Sequence, residues 1–143
     1  YKQNVCQPQG NSLAGSHIVD GSGLCRTDRL TCSTLSQAIE RDGRTGPIAT
    51  GMAKAGQTGT LADRMKNSPA VGRVVGKTGT LNGVSALAGW VSPQHSPDIS
   101  FVVIENGIDA DTGRRFEDRL ATALAGVAPP AAVETYAPGS TNR

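Results

Sequence analysis

The sequence predicts an α+β fold in which an antiparallel sheet is flanked by helices. Three strand-like runs follow one another, at about residues 72–80, 85–92 and 98–106, with very short connections. Since a parallel crossover needs a dozen or more residues, neighbouring strands this close in sequence must pair antiparallel. A strongly patterned helix follows the last strand at 113–127. We therefore expect three strands and a terminal helix in this chain.

Turn residues mark the limits of these strands. Asn82-Gly83, between the first two runs, is the strongest short hairpin signal, and the proline-flanked segment 93–97 separates the second run from the third. The segment 99–104 is almost continuously apolar, which predicts a strand covered on both faces.

Helical periodicity appears at three places. Thr31 or Ser33 is placed to cap a helix that ends at 41–43, and a second, short helix is predicted at 61–66 after Thr60. The glycine-rich segment 43–60 between them is expected to be an ordered loop. For 113–127 the predicted cap is Thr112, and one apolar stripe contains Phe116, Leu120, Leu124 and Val127.

Composition limits the function classes. Only 37% of the 143 residues are hydrophobic and 3% are aromatic, so the chain is expected to complete its core with another segment. A net charge of +2 from interspersed charges argues against a nucleic-acid surface. No apolar run approaches the roughly 20 residues of a membrane span. Because the first residue is Tyr1, we expect an internal or C-terminal piece of a longer precursor, with residues 129–143 as a poorly ordered tail.

The three cysteines, Cys6, Cys25 and Cys32, have no metal-binding spacing with one another or with the histidines. We expect no metal site. A disulfide such as Cys6–Cys25 or Cys25–Cys32 is one interpretation, and free, buried thiols are the other.

Lys77-Thr78-Gly79-Thr80 is the most informative segment for function, because it lies between two apolar runs. An ammonium group, two hydroxyls and a glycine on an extended segment make a compact receptor for a carboxylate and an oxyanion. Gly79 would let a substrate backbone approach closely. This combination predicts acyl transfer.

A phosphate-binding loop is the main alternative interpretation of the same residues. Gly76-Lys77-Thr78 matches the end of that motif, but the position that requires its first glycine holds Val71. A phosphate loop must also lead into a helix N-terminus, whereas this segment leads into another strand-like run.

Other side chains have competing interpretations. Arg64 could pair with a carboxylate of the other segment or line the cleft, but a solvated helix residue is the more common fate. Trp90 is expected in the core and not as a substrate platform. Ser22 is not in a Gly-x-Ser-x-Gly elbow, and no histidine lies near it in the sequence to act as its base. We therefore expect its hydroxyl to bond backbone groups of a turn.

Several short motifs occur together in a distinctive order. Asp20-Gly21-Ser22-Gly23-Leu24 comes first, Gly59-Thr60-Leu61 with Arg64 follows, and Lys77-Thr78-Gly79-Thr80 precedes Gly83-Val84-Ser85-Ala86-Leu87-Ala88-Gly89. In order and spacing this resembles the C-terminal part of the class C low-molecular-mass penicillin-binding proteins, the DacB-like serine D-Ala-D-Ala carboxypeptidases and endopeptidases. The resemblance covers about residues 19–124.

The resemblance implies a β-lactamase/transpeptidase-like fold, with 1–128 as the C-terminal portion of the domain and two further strands supplied by an N-terminal segment. It also implies catalytic roles for Lys77 and Thr80, and substrate contacts from Thr78, Gly79 and Thr80. Asp20, Ser22 and Gly23 would be structural residues beside the site. No cofactor is implied.

The chain departs from the family at the nucleophile. None of its lysines has a serine three residues earlier, so no Ser-x-x-Lys motif is present. The only Ser-x-Asn, at 140–142, follows Lys77 and is in the wrong order. We therefore expect the chain alone to be inactive and the serine to come from an N-terminal portion of the same enzyme.

The implied substrate is a peptidoglycan stem peptide outside the bacterial cytoplasmic membrane, with β-lactams as inhibitors. Two alternatives remain open at this point. One is a serine β-lactamase of the same fold, and the other is a non-catalytic binding module that has kept the strand without the chemistry.

Overall fold

A computed structural model describes residues 14–128 as one antiparallel sheet with helices on both faces. The strands are ordered β1-β2-β3-β4 in the sheet as in the chain. In chain order the elements are α1 (Cys32–Asp42), α2 (Pro47–Thr50), β1 (Ala53–Lys54), a 3-10 turn (Gly59–Leu61), β2 (Val74–Leu81), β3 (Val84–Val91), β4 (Ile99–Asn106) and α3 (Ala110–Ala125). The predicted α+β class and the antiparallel pairing are confirmed.

The three long strands and their hairpins agree with the sequence prediction to within two residues. Leu81 pairs with Val84 across the Asn82-Gly83 turn, in which Gly83 has a positive φ of 78°. A glycine adopts this backbone conformation without the steric cost that a side chain would add.

The predicted number of strands was one too low, because the segment 43–60 contains β1. Ala53 pairs with Gly76 and Lys54 pairs with Val75. Hydrogen bonds from Ala55 N–H to the Val74 carbonyl, at 3.0 Å, and from Gly72 N–H to the Ala55 carbonyl, at 2.9 Å, extend the contact. A strand of two residues has no periodicity, so no pattern could reveal it.

The first helix follows the sequence prediction. Thr31 Oγ1 accepts a hydrogen bond from Thr34 N–H at 3.1 Å and caps the N-terminus. The N–H of Gly43, at φ 76°, bonds to the Ile39 carbonyl and ends the helix.

The predicted helix at 61–66 is wrong. The chain makes the 3-10 turn and then a series of turns up to residue 73. Met65 and Asn67 have positive φ values of 57° and 59°, a conformation that no right-handed helix can include. Burial of Leu61 in the core fixes this path more strongly than local helix propensity does.

The last helix lies where the sequence predicts it, but its cap differs, and of the expected apolar stripe Leu124 packs against the core while Phe116 and Val127 do not. Its N-cap is Asp109, not Thr112, and Asp109 Oδ1 accepts the Thr112 N–H at 2.9 Å. Phe116 and Val127 of the expected stripe are 49% and 43% exposed. The residues that face the sheet are Gly113, Glu117, Ala121 and Ala125.

Close packing explains this difference. A Cβ atom at Gly113 would collide with the Cβ of Ser85 in β3, so the helix and the strand approach too closely for large side chains. The small residues therefore face the sheet, and Phe116 lies outside it.

The core has two parts, one on each face of the sheet. The larger one lies between the sheet and α3 and includes Leu61, Val74, Leu87, Val91 and Phe101. The smaller one consists of Ile39, Met52 and Val75, with Trp90 and Val102 packed against it. The core position predicted for Trp90 is confirmed, and β4 has neighbours on both faces although only Phe101 of that strand is buried.

Cys25 and Cys32 are free thiols, so the predicted Cys25–Cys32 disulfide is not formed. Neither thiol is buried, which also contradicts the alternative interpretation. Cys6 and the predicted tail at 129–143 lie outside the described residues. Between residues 14 and 128, no helix combines the length and the apolarity that crossing a bilayer requires.

Candidate active site at the free edge of β2

Backbone groups at Thr78 and Thr80 point to an open edge of the sheet. The Ser92 N–H donates to the Arg73 carbonyl, which therefore faces β3, while the Val74 carbonyl accepts from Ala55 on the opposite side. Orientation alternates along a strand, so the N–H and C=O groups of Thr78 and Thr80 face the same side as Val74. Pairing with β1 ends at Gly76. Among residues 14–128, no strand pairs with this edge of β2 beyond that point, while β3 pairs with the other edge up to Leu81.

The Lys77 ammonium group is turned toward this edge. Lys77 Nζ donates a hydrogen bond to the Thr78 carbonyl at 2.6 Å, and the side chain is exposed to solvent. A lysine ammonium has three donors, so this contact leaves two for a ligand.

Two hydroxyls meet beside the same edge. Thr78 Oγ1 donates to Thr60 Oγ1 at 2.9 Å, which joins β2 to the 3-10 turn. A cavity of about 330 Å³ opens next to this contact, and it is lined from β1, the 3-10 turn and β2 by residues that include Ala53, Gly59, Thr60, Gly76 and Lys77. The edge therefore has polar donors beside a space lined by glycine, alanine and threonine residues together with Met52 and Lys77.

The segment with Asp20, Ser22 and Gly23 forms a turn held by its own side chains. Asp20 Oδ1 accepts hydrogen bonds from the N–H and the hydroxyl of Ser22, both at 2.8 Å, and Ser22 Oγ accepts from the Leu24 N–H at 3.0 Å. Gly23 has a positive φ of 76°. Arg26 Nη1 donates to the Asn82 carbonyl at 3.1 Å, which attaches this loop to the β2–β3 hairpin.

Arg64 is not the solvated residue that was expected. Its side chain is only 13% exposed and bonds to Glu117 Oε2 and Asp118 Oδ1, each at 2.8 Å. The hydrogen bonds to Asp118 and Glu117 outweigh the effect of burial and raise the pKa of the guanidinium above its ordinary value.

Glu117 and Ser85 complete a buried polar cluster that sequence reasoning missed. Ser85 and Glu117 are 0% and 1% exposed, and Ser85 Oγ donates to Glu117 Oε1 at 2.6 Å. A repeat of four residues, at Gly113, Glu117, Ala121 and Ala125, was the available signal, since small residues at this spacing place Glu117 on a closely packed face.

Glu105 of β4 lies next to this cluster. It pairs with Ser85 across the sheet, and its Oε2 is buried without a hydrogen-bond partner among the described residues. Burial raises the pKa of Glu105, and the nearby charge of Glu117 raises it further.

The geometry decides against a phosphate-binding loop. Lys77 and Thr78 lie in the middle of β2, and the next element is the β3 strand of the same hairpin. No helix begins directly after this lysine, so the backbone N–H groups do not converge as phosphate binding requires. Within residues 14–128, no three His, Cys, Asp or Glu side chains are grouped in a way that could hold a metal ion.

Comparison with known proteins finds one family and relatives that are all named as carboxypeptidases. The pattern of the D-Ala-D-Ala carboxypeptidase 3 (S13) family matches residues 1–127. The chain is 36% identical over 124 residues to a D-alanyl-D-alanine carboxypeptidase of Actinomadura sp., covering 81% of this chain and 23% of that protein. It is 35% identical over 124 residues to Carboxypeptidase DacB of Mycolicibacterium smegmatis, covering 80% and 27%. The chain thus spans about a quarter of the length of these relatives.

Solved structures share the fold. Penicillin binding protein 4 (dacB) from Haemophilus influenzae superposes with a TM-score of 0.73 at 28% identity, over 86% of this chain and 30% of that one. The same protein complexed with a β-lactam also gives 0.73, at 27% identity, over 86% and 31%. On its motifs, its fold and these matches, the chain belongs to the D-Ala-D-Ala carboxypeptidase 3 (S13) family.

Proposed function

We propose that this chain is the C-terminal, substrate-receiving part of a serine-type D-Ala-D-Ala carboxypeptidase or endopeptidase that acts on peptidoglycan stem peptides. The observation that carries the proposal is the free edge of β2, where no strand within residues 14–128 pairs with the backbone of Thr78 and Thr80 and the Lys77 ammonium bonds to the Thr78 carbonyl. The family relatives are named as carboxypeptidases, which supports the same activity.

Each residue of the edge has a chemical role in this proposal. Lys77 and the hydroxyls of Thr78 and Thr80 hold the terminal carboxylate of the D-alanyl-D-alanine end by charge-assisted hydrogen bonds. For this, the Thr78 hydroxyl turns its proton from Thr60 Oγ1 to the carboxylate. The Thr80 N–H donates to the scissile carbonyl oxygen and stabilises the negative charge that develops on it. Gly79 leaves room for the extended substrate backbone along the strand.

The nucleophile comes from another part of the polypeptide in this proposal. A serine hydroxyl attacks the carbonyl carbon, D-alanine leaves with the proton, and water then hydrolyses the acyl-enzyme. Ser22 is not a substitute, since its hydroxyl bonds to Asp20 and Leu24 within a turn. The substrate places the enzyme outside the cytoplasmic membrane of a bacterium, where β-lactams would acylate the same serine.

Labelled penicillin tests the proposal. We expect the whole protein to form a covalent adduct at a Ser-x-x-Lys serine that precedes Tyr1, and this chain alone to form none. Lys77→Ala should lower the acylation efficiency about a hundredfold, because it removes the charge that holds the carboxylate. Lys66→Ala, which removes an exposed lysine paired with Asp63, is the matched control and should acylate normally.

Three results would contradict the proposal. An adduct on this chain alone would mean that it contains the nucleophile, and a folded whole protein without any adduct would favour a non-catalytic binding module. Rapid release of hydrolysed penicillin without cleavage of D-alanyl-D-alanine peptides would favour a β-lactamase.

A further inference from the structure

A buried ionic network lies behind the proposed substrate edge, on the side away from solvent. It consists of Arg64, Glu117 and Ser85. An ion pair joins Arg64 to Glu117, and a hydrogen bond joins Ser85 to Glu117. Glu117 is the central member, since one of its carboxylate oxygens bonds to Ser85 and the other to Arg64. Burying a carboxylate is costly unless it is paired, and both oxygens of Glu117 have partners.

One end of the network reaches Thr80. Ser85 is the cross-strand partner of Thr80, and opposite residues of an antiparallel pair carry their side chains on the same face. The bond from Ser85 to Glu117 fixes β3 at this position against α3, where Gly113 packs on Ser85 without an intervening side chain. The position of the Thr80 N–H therefore depends on how firmly Ser85 is held.

The other end reaches Thr78. Arg64 belongs to the turn that begins with Gly59–Leu61, since its N–H bonds to the Leu61 carbonyl at 3.1 Å. Thr60 of the same turn bonds to the Thr78 hydroxyl. Arg64 also donates to the Arg114 carbonyl at 3.2 Å, so the turn is attached to the backbone of α3 as well as to its carboxylates.

We propose that Arg64, Glu117 and Ser85 are positioning residues that hold the threonines at 78 and 80 in the geometry the reaction needs. This inference rests on the proposed function. Glu117 is the one carboxylate that contacts both Ser85 and Arg64, whereas Asp118 and the Arg114 carbonyl also hold Arg64. Loss of the Glu117 charge should therefore free the Ser85 end and weaken the Arg64 end. Small displacements of a preorganised donor reduce the reaction rate more than they reduce binding of the ground state.

The test uses the whole protein and compares Glu117→Gln with Asp63→Asn. The first substitution removes the charge of Glu117 but keeps its shape, while the second makes the same chemical change in an exposed ion pair of the same turn. For each variant, the acylation rate constant and the penicillin dissociation constant are measured, and both are normalised to the concentration of active sites that penicillin can label. We expect Glu117→Gln to lower the rate constant about tenfold with less than about a twofold change in binding, and the control to match the wild type.

A second readout does not require activity. The backbone amide NMR shifts of Thr78 and Thr80 should move in Glu117→Gln and stay in place in Asp63→Asn. If the wild type forms no adduct, the proposed function fails, and these shifts still decide whether the network positions the two threonines.

Ser85→Ala covers the case in which Glu117→Gln does not fold. It removes one hydroxyl and leaves Glu117 paired with Arg64. We expect the same lowered rate constant and a shift confined to Thr80. A folded variant of Glu117 or Ser85 with wild-type acylation and unchanged shifts of both threonines would overturn the inference.

Discussion

Two glycines of β2, Gly76 and Gly79, have different surroundings. A Cβ atom at Gly76 would lie 3.0 Å from Leu87 Cδ1 and 3.3 Å from the Ala88 carbonyl oxygen, so packing within this chain disfavours a side chain there. A Cβ atom at Gly79 would meet only Ala86 Cβ at 3.5 Å, which is an ordinary contact. The packing of residues 14–128 therefore gives no reason for Gly79, whereas the proposed substrate backbone along the strand would.

Gly79→Ala should therefore separate folding from function. We expect the free energy of unfolding to change by less than about 1 kcal/mol, because a side chain fits and strands tolerate alanine. Acylation by labelled penicillin should fall about tenfold or more, since the methyl group stands where the substrate backbone would lie. Gly76→Ala is the matched comparison and should lose stability. Unchanged acylation in Gly79→Ala would argue against substrate binding along this strand.

Glu105 allows a prediction about pH. Because its pKa is raised in the folded protein, the stabilisation from its protonated form is present at acid pH and lost as the pH rises. When it is charged, the carboxylate lies near the charge of Glu117, and its Oε2 is buried without a hydrogen-bond partner within residues 14–128. We expect Glu105→Gln to raise the melting temperature at pH 7 and to make little difference below about pH 4, near the ordinary pKa of a glutamate.

Glu40→Gln is the control for that experiment. Hydrogen bonds from Ser100 and Ser36 lower the pKa of Glu40, so the sign is reversed and the amide should destabilise the protein at pH 7. Melting curves across the pH range would test both variants. Equal shifts in the same direction would contradict the assignment of Glu105.

At the scale of elements, α3 shows how packing overrides an apolar pattern. The stripe with Phe116 looks like the buried face of an amphipathic helix. The buried face is instead the one with Gly113 and Glu117, because the close approach of Ser85 excludes large side chains. The apolar pattern predicts the position of the helix in the sequence correctly, but it does not predict which face of the helix turns toward the sheet.

The start of α3 depends on Asp109, and this predicts a second pH effect. The side-chain and backbone hydrogen bonds with Thr112 hold the pKa of Asp109 below its usual range. The stabilisation is therefore present above the ordinary aspartate pKa of about 4 and is lost as the pH falls through the lower folded value. We expect Asp109→Ala to lower the melting temperature at pH 7, with a smaller difference from wild type at pH 2.

Asp109→Asn serves as the control, because asparagine keeps an acceptor for the Thr112 N–H without a titratable charge. It should lie close to the wild type at pH 7 and lose less stability on acidification. If Asp109→Ala melts like the wild type at neutral pH, the cap does not stabilise the helix.

At the scale of the whole molecule, β4 is an edge strand in residues 14–128. The Gly107 N–H bonds to the Gly83 carbonyl, and alternation then directs the backbone groups of Phe101, Val103 and Glu105 toward β3. Those of Val102 and Ile104 face outward without a partner strand among the described residues. A long apolar edge of this kind pairs readily with another chain.

We expect the isolated chain to self-associate through β4, and Ile104→Pro to reduce this association. Proline removes an N–H that points away from the sheet, so the β3–β4 ladder keeps its hydrogen bonds. Val103→Pro removes an N–H that bonds to β3 and should unfold the sheet. Sedimentation velocity and circular dichroism would distinguish the two variants. Undiminished association of a folded Ile104→Pro chain would contradict this use of the edge.

In the whole protein, the same edge is where the two strands expected from an N-terminal segment would pair. Ile104→Pro should then lower the stability of the whole protein while it improves the solubility of the isolated chain. Opposite effects of one substitution in the two contexts would be hard to explain unless β4 pairs with another part of the polypeptide.

The sequence by itself determined the family, the three long strands, their antiparallel order and the strand that carries Lys77. These features depend on local patterns and short connections, which neighbouring residues encode. Only the tertiary structure decided the two-residue β1, the turn at 61–66, the buried face of α3 and the network of Arg64, Glu117 and Ser85. Each of these depends on contacts between residues far apart in the chain, where close backbone approach and charge pairing outweigh local propensity.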